Sequence, residues 1–296
     1  MLTKRKVLII KLGHSETLDP VISKECSLGD VVRTTVILNY FRDNDNVTWL
    51  IDEEAKPLLE GNPYIDRILI WDFETCVQLQ REHFDIVVNL EKTPGVCALS
   101  DNINAWQKYG FRFSYWHGRA EAYTHTEKVL AIATDTLKRE DNTKYWQEHL
   151  AKVIDKRWSI KDKYIMKQPE AEKRFDIGLN FMVGGKWPEK AWPTENWQDV
   201  VNELMKRNIS CSLQRKMNLH EYLPWIASCK TIVSCDSLGM HLAIAYGINV
   251  IALFGPTPSQ EVYLYDKGTK LVAENGRTES ITVEKVLEAI DGNSQT

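Results

Sequence analysis

At 296 residues, 43% hydrophobic and 26% charged, the chain has room for two α/β domains and the composition of an ordinary globular protein. A net charge of −4 offers no global attraction to nucleic acid or to an anionic bilayer. No stretch approaches twenty apolar residues, and the short apolar run after MLTKRK is too brief for a signal-peptide core, so a cytoplasmic protein with at most peripheral contact at the inner face of the membrane is expected.

KVLIIKL (6–12) is a continuous apolar run with β-branched character, as suits a strand buried on both faces. After Gly29-Asp30 the period changes, and Val32, Val36, Ile37, Tyr40 and Phe41 recur at helical spacing. NVTWLID (46–52), RILIW (67–71) and FDIVVNL (84–90) read as further strands, with a short helix over EEAKPLLEGN. The charged segment KDKYIMKQPEAEK (161–173) reads as a linker between domains. Beyond it the alternation resumes. RFDIGLNFMV (174–183), TIVSC (231–235) and NVIALFG (249–255) read as strands, and the stretches at 194–208, LPWIASC, MHLAIAYG and TVEKVLEAI as helices. The expected architecture is two Rossmann-like, doubly wound parallel sheets facing one another across a cleft. The first domain spans 1–165 and the second 174–280, with the final helix, 280–292, free to return to the first. The six cysteines form no CxxC pair and read as reduced thiols rather than a disulfide or zinc framework.

Three stretches carry candidate chemistry. In SCDSLGMHLAIAYG the free N–H groups of a helix start, with Asp236 at the cap and Ser237 and Gly239 following, form an anion seat, and Gly239 lets a phosphate come close. An ordinary capped helix explains the same residues equally well. GGKWPEKAWPTENW (184–197) opens on Gly184-Gly185 and supplies Lys186 and Lys190, cations able to reach a diphosphate, within a rim of Trp187, Trp192 and Trp197. A surface loop leading into a helix is the plainer account. SLGDVVRTT places Asp30 at a helix start, where it serves either as a base for an acceptor hydroxyl or only as a charge favouring the helix dipole. Arg112 and Arg119, in the aromatic and basic stretch FRFSYWHGRAEAY, are candidates for an acidic glycan, and packing explains them as well. The sole Asp-x-Asp sequence, Asp43-Asn44-Asp45, reads as turn chemistry, so neither metal nor cofactor is expected.

Taken together and in order, LGDVVRTT, LLEGNPYIDRIL, KAWPTENW and DSLGMHLAIAYG…ALFGPT resemble glycosyltransferase family nine, the ADP-heptose:lipopolysaccharide heptosyltransferases. The resemblance covers nearly the whole chain. It implies a GT-B fold and an inverting, metal-independent transfer of heptose from ADP-heptose to a glycan, lipopolysaccharide-core or other hydroxyl acceptor, without nucleic acid. By the same resemblance Asp30 is the general base, Lys190 contacts the donor and Asp236 contacts its sugar. The backbone of Gly239, Met240 and His241 faces the phosphates, Met217 packs on the adenine, and Gly184 and Gly185 line the diphosphate turn. One departure stands out: HSETLDPVISKECS (14–27) is inserted before the Gly-Asp pair, adding His14, Glu16, Asp19 and Glu25 as candidates for an acceptor clamp or lid. The competing readings are a GT-B transferase for another nucleotide sugar, in capsule or natural-product assembly, and a non-catalytic nucleotide-sugar binding protein. A dinucleotide oxidoreductase is disfavoured, since no GxGxxG follows the first strand.

Overall fold

The computed structural model describes residues 4–14, 25–41, 44–134 and 141–293, which divide into two compact units, 1–167 and 168–296.

In the first unit the apolar runs become the parallel strands β1 (Arg5–Ile10), β2 (Asp45–Ile51), β3 (Arg67–Ile70) and β4 (His83–Asn89). Two strands that the apolar pattern does not announce complete the sheet, β5 (Asn104–Phe113) and the antiparallel β6 (Ala120–Ala122). The order is β3-β2-β1-β4-β5-β6, so the winding reverses between β1 and β4. Residues 7–10 of β1 are wholly buried, as a central strand covered on both faces requires. The helices are α1 (Leu28–Thr34), α2 (Phe73–Leu79), α3 (Pro94–Asn102), α4 (Glu127–Thr134) and α5 (Trp146–Val153). Gly110, at φ +90°, sits where β5 crosses the end of β4; a Cβ there would lie 1.8 Å from the Asn89 carbonyl oxygen.

The second unit holds a wholly parallel five-stranded sheet: β7 (Phe175–Asn180), β8 (Cys211–Leu213), β9 (Cys229–Cys235), β10 (Asn249–Phe254) and β11 (Gly268–Val272). Its order is β11-β10-β9-β7-β8, which puts the reversal between β7 and β9. The helices are α6 (Thr194–Lys206), α7 (Leu219–Ala227), α8 (Leu238–Ala245) and α9 (Val283–Asn293). Nearly every side chain of α8 is buried, as a sequence apolar except for His241 demands.

Several expectations change here. In the final helix, Val286, Leu287 and Ile290 of α9 complete the second unit's core beside α6, and Arg207 pairs with Asp291 at 3.0 Å. The expected linker begins too early, since Asn39 and Asn62 hold the carbonyls of Lys163 and Ile165 to the first unit at 2.7 Å each. The tryptophan rim is largely core. Trp192 and Trp197 are buried edge to face at 5.1 Å, and the Trp192 indole N–H donates to the Ile281 carbonyl. All six cysteines are free thiols, and no helix among the described residues is long and apolar enough to cross a membrane.

Candidate functional site

Each unit carries a polar cluster at the point where its winding reverses, at the C-terminal ends of the strands. Crevices of this kind in open α/β sheets take ligands.

In the second unit, β9 ends at Cys235, and the chain passes through Asp236 and Ser237 into α8. Ser237, not Asp236, is the N-cap residue, and its own hydroxyl makes no capping bond. It belongs instead to a side-chain network. Asn180, at the end of β7, donates to the Ser234 and Ser237 hydroxyls at 2.9 and 3.0 Å, while its Oδ1 accepts from the Tyr222 hydroxyl at 2.5 Å. Asn180 is fully buried, so these partners fix its amide. Gly239 lies directly beneath: a Cβ there would meet the Asn180 amide at 2.5 Å and the Tyr222 hydroxyl at 2.7 Å. The glycine therefore gives room to Asn180 and Tyr222.

Asp236, released from capping, turns to Lys190. The short 3-10 turn Pro188–Lys190 carries that lysine, and its Nζ lies 2.9 Å from Asp236 Oδ2. His241 Nε2 stands 3.8 Å from Oδ1, one turn into α8. Burial works to raise the Asp236 carboxyl, but the charges of Lys190 and His241 outweigh it and hold the group well below the usual carboxylate range. Lys190, Asp236, Ser237, Gly239 and His241 are thus brought together. The Met240 side chain is buried in the core, leaving only its backbone for a ligand. Met217 sits half-buried in the loop after β8. A bond from Met182 N–H to the Gln214 side chain at 2.9 Å ties that loop to the one after β7. Gly184 and Gly185 are exposed, and a Cβ at Gly184 would touch nothing within 4 Å; Lys186 beside them is half-buried.

In the first unit, Lys11 follows β1, and Glu91 and Lys92 follow β4, all three buried. Parallel pairing of β1 with β4 aligns their ends, and Asp30 arrives on the first turn of α1. The Lys11 ammonium binds Asp30 directly and lies 3.2 Å from Glu91 Oε1. Arg33, one turn along α1, reaches the other Asp30 oxygen at 2.5 Å. The Glu91 oxygen also collects the N–H groups of Leu12 and Gly13 at 2.7 Å and of His14 at 3.3 Å. Asn89 anchors it by accepting from the Glu91 N–H at 3.0 Å and donating to the Phe111 carbonyl on β5 at 2.7 Å.

The electrostatics follow from this packing. Burial works to raise Asp30, and the charges of Arg33 and Lys11 reverse it, holding the carboxyl far below its usual range. Burial works to lower Lys11, and Asp30 and Glu91 more than compensate, raising it. For Lys92, burial and then the charge of Lys11 outweigh the charges of Asp30 and Glu91 and bring it down to about 8.

The other acceptor candidates lie apart from this cluster or are engaged. His14 Nε2 is 2.8 Å from Asp52 Oδ2. Arg112 pairs with Glu121 across β5 and β6, and Arg119 is exposed in the turn between them. Asp45 of the Asp-x-Asp sequence is held by Arg5 at 2.8 Å. Glu16, Asp19 and Asp43 lie outside the described residues. Sequence reasoning missed Lys11, Arg33, Glu91, Lys92, Asn180 and Tyr222. For Lys11, Glu91 and Lys92 a signal existed, namely charged residues set directly against the ends of apolar strands.

Residues 210–289 match the family described as glycosyltransferase family 9 (heptosyltransferase). Lipooligosaccharide heptosyltransferase 2 of Haemophilus influenzae is 35% identical over 100 residues, 33% of this chain and 28% of that protein, so the match spans little more than a quarter of the relative. Among solved structures, a family 9 glycosyl transferase from Veillonella parvula aligns over 99% of this chain and 97% of its own at a TM-score of 0.71 and 18% identity. The ADP-heptose lipopolysaccharide heptosyltransferase II of E. coli aligns over 97% and 98% at 0.68 and 15%. The E. coli heptosyltransferase WaaC, solved with ADP, aligns over 98% of each chain at 0.65 and 17%. The chain accordingly has the GT-B fold.

Proposed function

We propose that this chain, a family 9 heptosyltransferase-like protein in its fold and in the sequence of its second unit, is a cytoplasmic glycosyltransferase. It moves heptose from an ADP-activated donor onto a hydroxyl of a glycan such as a lipopolysaccharide core, with inversion and without a metal ion. The observation that carries this reading is the Lys190–Asp236 pair beside the start of α8, at the point where the second sheet reverses its winding.

The second unit binds the donor. The first N–H groups of an α-helix have no intrahelical acceptor and favour an anion. With Lys190 they offset the charge that gathers on the departing diphosphate, the task a metal ion performs elsewhere. Asp236, kept ionised, accepts hydrogen bonds from the sugar hydroxyls, and Met217 lies against the base. Asp236 balances Lys190, and a bound diphosphate takes over that role.

The first unit binds the acceptor. Its hydroxyl oxygen bonds to the anomeric carbon as the bond to the diphosphate breaks, and the nucleoside diphosphate leaves with that electron pair. Asp30 takes the hydroxyl proton. Its low proton affinity is tolerable, because a hydroxyl already bonding to carbon is strongly acidic.

A thermal-shift panel of ADP, UDP, GDP and NAD tests the donor assignment, since a ligand of the folded state raises the melting point. ADP is expected to stabilise most, and Lys190→Met to weaken ADP binding by about 1.5–3 kcal/mol, the worth of a charged hydrogen bond. A preference for UDP would overturn the ADP-heptose assignment, and no response to any nucleotide would overturn the transferase reading.

A further inference from the structure

Ser237 occupies the N-cap of α8, yet its hydroxyl makes no capping bond. The direction of the hydrogen bonds around it explains why. A chain of polar groups runs from Tyr222 on α7, through Asn180 at the end of β7, to Ser237. Burial raises the pKa of the Tyr222 hydroxyl, so the group keeps its proton and donates it. Its 2.5 Å distance to Asn180 Oδ1 suits O–H···O and is too short for an amide N–H donor. That contact orients the amide. Its oxygen faces Tyr222, and its two N–H groups go to Ser234 and Ser237 at 2.9 and 3.0 Å. A flipped amide would need the Ser234 proton, which the Cys235 carbonyl already takes at 2.7 Å.

Ser237 therefore accepts from Asn180, and its own proton remains to be placed. Within the network the remaining contact is the Ser234 oxygen at 3.2 Å, long for a bond between hydroxyls. Ser237 is half-buried and stands between Asp236 and the open N–H groups of α8. We propose that Tyr222 and Asn180 are positioning residues that turn the Ser237 hydroxyl outward as a hydrogen-bond donor to the diphosphate. This rests on the reading of the second unit as the donor unit. A capping hydroxyl accepts, and its lone pairs would repel an anion; a hydroxyl that donates adds to the anion seat instead. The bonds from Tyr222 to Asn180, to Ser237 and on to the phosphate run in one direction, so each strengthens the next. Tyr222 is itself held in place. Its ring stacks on Trp225 with centres 5.7 Å apart, and the Trp225 indole N–H donates to Ser212 on β8 at 3.0 Å.

The test measures ADP and adenosine binding to the full chain by calorimetry. Tyr222→Phe removes one hydroxyl and releases the amide, so the Ser237 proton turns inward to Asn180 Oδ1. ADP should bind about tenfold more weakly, as for a lost hydrogen bond to a charged group, and adenosine, which has no phosphate, should bind as to wild type. Ser237→Ala should match that loss, and Ser237→Thr should retain ADP. The double variant Tyr222→Phe with Ser237→Ala should bind ADP no worse than Ser237→Ala alone, because both changes remove the same bond. Equal losses of adenosine and ADP in Tyr222→Phe would make Tyr222 a structural residue and overturn the proposal. Unchanged ADP binding in Ser237→Ala would overturn it too, even if Tyr222→Phe did not fold. A wild type that binds no ADP would fail the transferase reading and this proposal together, whereas ADP binding indifferent to Tyr222 and Ser237 would fail this proposal alone.

Discussion

Asp30→Asn is expected to abolish most transfer and also to loosen the first unit, and the two effects have to be read separately. The change keeps the shape of the side chain and removes its charge. Lys11 and Arg33 then remain with a neutral partner, Lys11 being 3% exposed. Breaking a buried ion pair from one side costs about 3–5 kcal/mol. Losing a general base costs about 10²–10⁴-fold in rate. The structural part has a pH signature. A carboxyl held below its unfolded value stabilises the fold above pH ~4, and that contribution is lost as pH falls through the lower, folded value. Acid unfolding of the wild type should therefore be steeper below pH ~4 than that of Asp30→Asn. ADP should still bind the variant, because the Lys190–Asp236 pair is untouched. Transfer at the wild-type rate in a correctly folded Asp30→Asn protein would remove Asp30 from the mechanism.

The second large effect is expected at Gly239. Adding one methyl group there drives a carbon to 2.5 Å from the Asn180 amide and 2.7 Å from the Tyr222 hydroxyl. Both are buried and bonded to each other, so neither can yield without releasing the other. Overpacking of this kind costs about 1–3 kcal/mol. Asn180 also holds Ser234 and Ser237, so its displacement disturbs the entry to α8, where the diphosphate is proposed to sit. Gly239→Ala should lower the melting point and weaken ADP binding together. Gly184→Ala, with open space around its Cβ, should change stability by less than about 0.5 kcal/mol. Equal effects in the two variants, read by thermal unfolding and nucleotide titration, would show that the Asn180 network does not govern the site.

The comparison of these glycines shows how much was legible in the sequence. Alternating strands and helices could be read because buried parallel strands are written as apolar runs, as in KVLIIKL and NVIALFG. β5 was not legible. Most of its residues are half-buried or exposed near the sheet edge, so no apolar run marks it. β8 and β11 are too short and too exposed to announce themselves. Among site residues, Lys190, Asp236 and Asp30 were visible through the resemblance of their motifs, whereas their partners were not. Lys11 and Glu91 lie far apart in the chain and meet only because β1 pairs with β4. Asn180 and Tyr222 are ordinary residues of a strand and a helix until Gly239 lets them touch. Backbone freedom at that glycine says nothing about which side chains fill the space beside it.

The carboxylate of Glu91 has a consequence for stoichiometry. A chain with two doubly wound sheets has two turns after a first strand, each a potential seat for a phosphate. In the first unit that turn is already occupied from within: the N–H groups of Leu12, Gly13 and His14 all point at Glu91 Oε1. The protein supplies its own anion there, so a nucleotide titration should saturate at one equivalent per chain.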